Sequence, residues 1–502
     1  MANQEPFDLL VVGGGINGTG IARDAAGRGL STLLVEQGDL AGATSSASSK
    51  LIHGGLRYLE YYEFRLVAEA LAEREVLLKI APHIIWPLEF VLPHEKHLRP
   101  AWMIRAGLFL YDHIGGRTSL PKSRSVKLLP NGYGAGLKPE FTHGFAYSDG
   151  WVDDARLVVL NARSAVAHGA TVLTRTRLVS AARDGGVWRA KLTDQLTGVE
   201  SEVSARILVN AAGPWVQSLL DHELAIESPG KVRLVKGSHV VVPRIHARRH
   251  AFILQNPDRR VIFLIPYERE FTIIGTTDVQ VGEDEIRPVI TAEEIAYLCA
   301  SASRYTAKPV VPADVVWSYS GVRPLYDDGT EDPSAITRDY QLLIDAGKGM
   351  KDPPLLSIFG GKITTYRMLA EHALEKLRPW TGERPTWTAN EALPGGDFGG
   401  RDFTKMLVAY EREFSGLPGG WLKRLLRRHG TLASDVIGNA TDEAGLGEKF
   451  GGGLYECEVR YAVAKEWARE ADDVLWRRTK CGLHMTGSER ARVVAWFSEN
   501  AH

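Results

Sequence analysis

The sequence predicts a mixed α/β and α+β protein, in which a parallel-sheet domain is interleaved with an antiparallel-sheet domain and followed by a helical C-terminal domain. Residues 7–36, "FDLLVVGGGINGTGIARDAAGRGLSTLLVE", read as strand, glycine turn, helix and strand, the order of a βαβ unit. Successive strand patterns between about 231 and 275 predict an antiparallel sheet. Beyond "LPGG" (393–396) the pattern is mostly helical and rich in Trp and Arg.

The composition excludes several classes of protein. The 502 residues are 44% hydrophobic and 24% charged, with a formal net charge of −1, whereas a nucleic-acid-binding protein normally has a strong basic excess. The three cysteines lie far apart without a CxxC pair, so we expect neither a metal site nor a disulfide framework, and we expect a cytoplasmic location. No apolar run approaches the roughly 18–20 residues of a membrane-spanning helix. Any contact with a membrane would therefore be at its surface.

The first turn has the pattern of a dinucleotide site. Gly13, Gly15 and Gly18 follow a strand and open a helix, where a pyrophosphate can lie against exposed N–H groups. Glu36 ends the next strand, at the place where a carboxylate accepts hydrogen bonds from a ribose diol. A turn needed only for helix–sheet packing would explain one or two of these glycines, but not all of them together with Glu36. The pattern therefore predicts a bound dinucleotide.

Two further glycine turns favour FAD over NAD. "LVNAAGPW" (208–215) and "SIFGGKITTYR" (357–367) each follow a strand pattern far downstream. An NAD site needs one such turn, whereas an extended flavin dinucleotide needs the backbone to approach it several times. The second of these turns opens a helix and carries Lys362, which would stabilise negative charge on the reduced flavin. An ordinary strand-to-helix turn is the alternative.

The stretch "ATSSASSKLIHGGLRYLE" (43–60) is predicted to wrap around the same cofactor. Its hydroxyl groups suit an oxyanion, and its glycines allow close approach of the backbone. A flexible polar linker would have no reason to end in this pattern. The candidate FAD-binding residues are Gly13, Gly15, Gly18, Glu36, Thr44, Ser45, Ser46, Lys50, Leu51, His53, Leu178, Ala212, Gly213, Trp215, Gly361, Lys362, Ile363 and Thr364.

Long segments of the chain resemble a known family. They include "VVGGGINGTGIARDAAGRG", "TSSASSKLIHGGLRYLEYYEFRLVAEALAEREVL", "YSDGWVDDARLV", "KGSHVVVP", "YSGVRPL", "FGGKITTYR" and "DDVLWRRTK". These segments are similar to the FAD-dependent aerobic glycerol-3-phosphate dehydrogenases of bacteria, within the D-amino-acid-oxidase-like flavoproteins. The resemblance implies oxidation of sn-glycerol 3-phosphate to dihydroxyacetone phosphate and transfer of the electrons to a membrane quinone. It also implies a homodimer attached peripherally to the inner face of the cell membrane.

Four residues are the candidates for catalysis. A phosphate-bearing substrate needs fixed cations, and the planar guanidinium of arginine suits phosphate best, which singles out Arg57 and Arg323, with Tyr58 as a further donor. Either arginine could hold the phosphate while the other polarises the C2 oxygen. His53 is the candidate general base, because an imidazole ordinarily titrates near neutral pH. Lys362 would bridge the substrate oxygen and the flavin.

The predicted domains follow from these assignments. They are an FAD-binding domain (1–80, 150–225 and 350–385), a substrate-binding domain (81–149 and 226–349) and a helical C-terminal domain (386–502). Segments 102–117 and 421–430 could lie at a bilayer surface, or could be helices that pack in the core. The alternative functions are a glycerol-3-phosphate oxidase that uses O₂, an amine-oxidising flavoenzyme in which Arg323 binds a carboxylate, and a non-catalytic flavin-binding sensor.

Overall fold

The computed structural model describes residues 5–95, 99–227, 230–258, 260–327 and 339–500. They form two large sheets, the helices that cover them, and a mostly helical C-terminal part. The predicted fold class is confirmed.

The strands have the following bounds. They are β1 (Phe7–Val12), β2 (Thr32–Val35), β3 (Leu51–Ile52), β4 (Ile85–Pro93), β5 (Arg124–Lys127), β6 (His143–Val152), β7 (Thr171–Leu173), β8 (Thr176–Asp184), β9 (Val187–Asp194), β10 (Glu200–Asn210), β11 (Lys231–Pro243), β12 (Ala251–Gln255), β13 (Val261–Tyr267), β14 (Phe271–Gly275), β15 (Val279–Val281), β16 (Trp317–Asp327), β17 (Gln341–Asp345), β18 (Leu355–Phe359), β19 (Lys449–Gly451) and β20 (Leu454–Tyr455).

The α-helices have the following bounds. They are α1 (Ile16–Gly27), α2 (Phe64–Ile80), α3 (Ala101–Ile114), α4 (Asp154–Ala167), α5 (Val216–Ser218), α6 (Ala292–Ser303), α7 (Tyr366–Lys376), α8 (Arg378–Thr381), α9 (Phe403–Glu413), α10 (Gly419–His429), α11 (Ala433–Ile437), α12 (Glu456–Glu466) and α13 (Gly487–Asn500).

The first sheet is mostly parallel. Among the described residues it has eight strands, in the order β17-β18-β10-β1-β2-β7, with β9 paired to β10 and β8 paired to β9. Strands β18, β10, β1, β2 and β7 are parallel, and the others join antiparallel. The central strand β1 is buried on both faces, as a parallel strand covered by helices on both sides should be. Because β1 leads directly into α1, the carboxyl edge of this sheet meets the N-terminus of α1.

The second sheet is almost wholly antiparallel. Its ten described strands follow the order β15-β11-β14-β13-β12-β4-β6-β3, with β16 paired to β11 and β5 paired to β6. Strand β16 pairs with β11 along its whole length, from Asp327 opposite Lys231 to Trp317 opposite Val241. Strands β3, β4 and β6 come from the first third of the chain, so the chain enters this sheet, returns to the first sheet and enters again. The two sheets are thus interleaved in sequence, as the strand patterns predict.

The C-terminal part has cores of its own and is joined to the first sheet through α4. One core surrounds Trp421 and Leu425, and a second surrounds Phe450 and Val493. Where this part meets α4, the guanidinium of Arg156 donates to the carboxylate of Glu466 at 2.6 Å, and both side chains are fully buried.

The two candidate membrane segments differ in exposure. In α3, Trp102 is 70% exposed and Phe109 is 60% exposed. In α10 the apolar side chains are buried in the C-terminal core, and the basic residue Arg428 is buried beside Glu458. The expectation that 421–430 could lie at a bilayer surface is therefore wrong, because its apolar face packs inside the protein. Among the described residues, no helix combines the length and hydropathy that crossing a bilayer requires.

Candidate functional site

The first glycine turn brings the backbone very close to itself. A Cβ atom on Gly18 would lie 1.9 Å from the carbonyl oxygen of Gly13, so no side chain fits there. A Cβ on Gly13, whose φ is +115°, would lie 2.5 Å from the carbonyl oxygen of Ala211. The turn is therefore pressed against the start of the 208–215 turn, and α1 begins directly beyond it, with Gly15 as its N-cap.

Glu36 lies beside this turn, at the end of β2. Its carboxylate accepts the N–H of Gly14 at 2.6 Å and the N–H of Gly38 at 2.7 Å. Burial raises the pKa of Glu36, and the two backbone N–H groups oppose that shift. Each carboxylate oxygen has a further lone pair, so the group can still accept hydrogen bonds from a diol. The structure thus places Glu36 where the sequence predicts a ribose acceptor.

The serine-rich stretch 43–60, which we call the serine-rich loop, runs across the N-terminus of α1. Ser45 Oγ accepts the N–H of Ile16 at 3.0 Å, and Thr44 Oγ1 donates to the carbonyl of Val322 at 2.6 Å. Ser46 Oγ donates to the carbonyl of Ala43 at 3.2 Å within the loop. The loop therefore links α1 of the first sheet to β16 of the second.

The side chain of Lys50 lies inside the protein, beneath the serine-rich loop. It is buried, and its ammonium donates to both carboxylate oxygens of Asp154 at 2.8 and 2.9 Å and to the carbonyl of Ser46 at 3.0 Å. The Lys50 side chain therefore holds the loop through Asp154, which leaves its backbone atoms as the groups that could contact a ligand. The side chains of Leu51 and Leu178 likewise lie in hydrophobic cores, so only their backbone atoms could contact a ligand.

The second turn lies next to the first. The amide N–H of Ala211 donates to the carbonyl of Val12 at 2.9 Å, and the N–H of Ala212 donates to the side-chain oxygen of Asn210 at 3.2 Å. Gly213 and Trp215 follow in a short 3₁₀ turn and are half-buried. The predicted residues Ala212, Gly213 and Trp215 therefore lie at the same sheet edge as the first turn.

The third glycine turn, within 357–367, also contacts α1. Asn17 Nδ2 donates to the carbonyl of Gly360 at 3.0 Å, and a Cβ on Gly361, whose φ is +102°, would lie 2.8 Å from the Asn17 side chain. Asn17 Oδ1 is buried and has no hydrogen-bond partner in the part of the chain that is described. The backbone N–H of His53 donates to Thr364 Oγ1 at 3.3 Å, which joins the serine-rich loop to this turn.

These contacts fit an extended FAD. Three glycine turns and the serine-rich loop converge on the N-terminus of α1, and the buried, unpaired Asn17 oxygen lies among them. The pyrophosphate would lie against α1, the ribose at Glu36, and the flavin ring near Lys362, Ile363 and Thr364. The ring system would then face the end of the loop that carries His53.

Tyr58 and Lys362 meet beside the third turn. The ammonium of Lys362 lies 4.0 Å from the centre of the Tyr58 ring, a cation–π distance. Both residues are half-buried. The guanidinium of Arg57, also half-buried, lies 3.4 Å from the hydroxyl of Tyr61. Two of the predicted catalytic residues, His53 and Lys362, thus lie at one turn. The side chain of Arg57 contacts Tyr61.

Arg323 is held on β16, next to the serine-rich loop. It donates to Asp278 at 2.5 Å and to Thr276 Oγ1 at 3.3 Å, and its side chain is 32% exposed. The neighbouring carbonyl of Val322 accepts the Thr44 hydroxyl, and the carbonyl of Pro324 lies 3.6 Å from where Gly360 would carry a Cβ. The strand thus places Arg323 between the loop and the third turn, with Asp278 as its present partner.

A buried network holds the glycines that follow His53. The N–H of Gly54 donates to the hydroxyl of Tyr111 at 2.8 Å, and that hydroxyl donates to Asp149 at 2.8 Å. Arg74 pairs with Asp149 at 2.8 Å. Burial raises the pKa of Asp149 to about 6, against the charge of Arg74. The backbone position of the His53–Gly54 turn is therefore fixed from inside the protein.

The sequence analysis missed His239 on β11. Its ring is buried, stacks on Tyr319 with 4.8 Å between ring centres, and has Nε2 2.8 Å from Ser49 Oγ. Nδ1 has no hydrogen-bond partner among the described residues. Burial, with the charges of Lys50 and Arg323, lowers the pKa of His239 to about 3, so the imidazole is neutral. Within "KGSHVVVP" a single histidine reads as part of a buried strand, and only the pairing of β11 with β16 sets it opposite Tyr319.

Comparisons with known proteins identify the family of this chain. A family model described as "FAD dependent oxidoreductase" (DAO) matches residues 8–367, and one described as "C-terminal domain of alpha-glycerophosphate oxidase" matches residues 386–496. The aerobic glycerol-3-phosphate dehydrogenase of Escherichia coli K12 is 54% identical over 496 residues, which cover 99% of this chain and 98% of the relative. The D-erythritol 1-phosphate dehydrogenase of Brucella abortus is 50% identical over 505 residues, which cover 100% of this chain and 99% of the relative.

A solved structure has the same fold. The glycerol-3-phosphate dehydrogenase from Bacillus halodurans, complexed with FAD, superposes with a TM-score of 0.74 at 28% identity, covering 99% of this chain and 95% of that chain. The resemblance drawn from the sequence motifs is therefore confirmed. The chain belongs to the DAO family of FAD dependent oxidoreductases, and FAD is its cofactor.

Proposed function

We propose that this protein oxidises sn-glycerol 3-phosphate to dihydroxyacetone phosphate and passes the electrons to a membrane quinone. One observation carries the proposal: two cationic residues belong to segments that meet at the third glycine turn, in a chain 54% identical over its length to a dehydrogenase of this substrate. Lys362 lies at the turn, and Arg323 lies on the adjoining strand. A dianionic phosphate ester suits such a pair of cations better than a single carboxylate does.

The residues divide the chemistry among them. FAD, when bound, supplies the hydride acceptor for the C2 hydrogen. Arg323 binds the phosphate and exchanges its contact with Asp278 for the substrate. Lys362 holds the C2 oxygen of the substrate and stabilises negative charge on the flavin at the third glycine turn. His53 takes the proton of the hydroxyl group, and Arg57 and Tyr58 provide further donors at the mouth of the site.

D-erythritol 1-phosphate is the second candidate substrate. A dehydrogenase named for it is 50% identical to this chain over its whole length, close to the 54% of the glycerol-3-phosphate enzyme. Both molecules are phosphate esters with a secondary alcohol, and the cations described above would serve either. The longer polyol would need more room beyond the reacting carbon.

The proposal also covers contact with a lipid surface, a quinone and a second copy of the chain. The exposed Trp102 and Phe109 of α3 support contact with a lipid surface, which sedimentation with lipid vesicles at low salt would test. A lipid contact would bring the site within reach of a quinone. The homodimer and the division into FAD-binding, substrate-binding and C-terminal domains, with the bounds predicted from the sequence, are also proposed.

Anaerobic bleaching of the flavin spectrum tests the function. We expect sn-glycerol 3-phosphate to bleach the oxidised flavin rapidly, and D-erythritol 1-phosphate to do so at least tenfold more slowly. A short-chain quinone should then restore the spectrum faster than O₂ does. Faster bleaching by the erythritol ester would assign that substrate instead, and faster reoxidation by O₂ with peroxide release would make the protein an oxidase.

Substitution of Arg323 tests the phosphate contact. We expect Arg323→Ala to raise the Michaelis constant by about ten- to a hundredfold, because a charge-assisted hydrogen-bonded contact of about 1.5–3 kcal/mol is lost, while FAD stays bound. The matched control is Arg304→Ala, since Arg304 has a similar exposure of 34% and pairs with Glu95 at 2.9 Å. An unchanged Michaelis constant in Arg323→Ala would remove Arg323 from the substrate site.

Two histidine variants test the general base. We expect His53→Ala to slow flavin reduction by about 10²- to 10⁴-fold with little loss of substrate affinity, as stopped-flow absorbance measures across pH. His239→Ala is the comparison, because this neutral histidine also lies near Arg323. If His53→Ala reduces its flavin at the normal rate and His239→Ala does not, the base is His239.

A further inference from the structure

One segment of the C-terminal domain lies against the nucleotide half of the site. It is "DDVLWRRTK" (472–480), which contains a short π-helical turn over Asp473–Arg478. The roles assigned above to the flavin and the substrate use none of its residues. Its contacts reach the loop that follows β2, which we call the ribose loop and define as residues 36–41.

The strongest of these contacts is a forked ion pair. Arg478 donates to the two carboxylate oxygens of Asp39 at 2.6 and 2.7 Å, and Arg477 Nε donates to the same group at 2.5 Å. Asp39 is 3% exposed and Arg478 is 1% exposed. Burial alone would raise the pKa of Asp39, but the charges of Arg478 and Arg477 outweigh it and lower the pKa. The carboxylate is therefore ionised and held in one orientation.

A second ion pair holds the same loop from its other side. Asp473, which is fully buried, accepts hydrogen bonds from Arg175 Nη2 at 3.0 and 3.1 Å. The backbone N–H of Arg175 donates to the carbonyl of Gly38 at 2.9 Å. Arg477 also donates to Asp473, so both ion pairs share one residue. The C-terminal segment thus grips the ribose loop at Asp39 and, through Arg175, at Gly38.

The ribose loop is hydrogen-bonded to two groups of the predicted cofactor site, Glu36 and the first glycine turn. The N–H of Gly38 donates to Glu36 Oε1 at 2.7 Å, which orients the carboxylate assigned to the ribose. The N–H of Ala41 donates to the carbonyl of Gly14 at 3.1 Å, within the first glycine turn. A shift of the ribose loop would therefore move both the ribose acceptor and the turn that approaches the pyrophosphate.

We propose that the ion pairs of Arg478, Arg477 and Asp473 hold the ribose loop in the conformation that binds the adenosine diphosphate half of FAD. In this view the C-terminal domain preorganises the cofactor site. When the clamp is broken, a smaller fraction of molecules has the binding-competent loop, and the apparent affinity for FAD falls by that fraction. The inference rests on FAD as the cofactor and does not depend on the proposed substrate.

Reconstitution of the full-length apoprotein with FAD tests the clamp. We expect Arg478→Gln to raise the dissociation constant of FAD by about ten- to a hundredfold, because the buried carboxylate of Asp39 loses a charge-assisted partner. The constant is measured by quenching of flavin fluorescence. ADP, which carries only the adenosine diphosphate half, should compete less well with FAD in the variant by the same factor.

The control is Arg428→Gln. Arg428 pairs with Glu458 at 2.6 Å, and both side chains are buried. In the described part of the chain, the hydrogen bonds of these two side chains, including one from Arg428 to Cys481 Sγ, stay within the C-terminal domain. We expect this variant to lower the melting temperature and to keep its affinity for FAD and ADP within about twofold of the original. If it weakens FAD binding as much as Arg478→Gln does, the effect is one of general stability and the proposal is wrong.

A milder variant covers the case in which Arg478→Gln does not fold. Arg477 is partly exposed, so Arg477→Gln should fold and raise the dissociation constant of FAD by about two- to tenfold. Unchanged affinity for FAD in a folded Arg477→Gln or Arg478→Gln protein would overturn the proposal.

Discussion

The structure depends on one close approach of the backbone, where β1 turns into α1. The carbonyl of Gly13 lies so near Gly18 that a Cβ there would be 1.9 Å away. Because no side chain fills this turn, the N-terminus of α1 is open to an anion, and its N–H groups and dipole favour one. Contacts with the first glycine turn and with the N-terminus of α1 position the other two turns, the serine-rich loop and the ribose loop.

Of the groups proposed to bind the substrate, Arg323 comes from the second sheet. Strand β16 is paired with β11 along its whole length, and its central residues lie between the serine-rich loop and the third turn. This pairing sets Arg323 opposite Val235 and His239 opposite Tyr319, and the carbonyl of Pro324 lies beside Gly360 in the third turn. The polar groups proposed for the flavin end therefore come from four distant segments, while those proposed for the nucleotide end come mostly from the first βαβ unit.

The parts predicted well from the sequence are those that local patterns determine. Gly13, Gly18 and Glu36 lie within one βαβ unit, and Lys362 lies in one strand–turn–helix, so spacing alone predicts the turns that carry them. Their roles in binding stay predictions. The ion pair of Lys50 with Asp154 could not be predicted from the sequence, because Asp154 is 104 residues away. His239 was missed for the same kind of reason, since strand pairing, not spacing, gives it its neighbours. Helix α10 has an amphipathic pattern that fits a core as well as a membrane, and only packing decides between them.

The flavin content of a Gly18→Ala variant tests the central claim most directly. The matched control is Gly107→Ala in α3, where a Cβ would have no atom within 4 Å. Both proteins are purified with excess FAD, and the ratio of flavin to protein is measured by absorbance. We expect Gly107→Ala to keep a full complement of FAD and Gly18→Ala to lose most of it. A folded Gly18→Ala protein with its full complement would contradict the account.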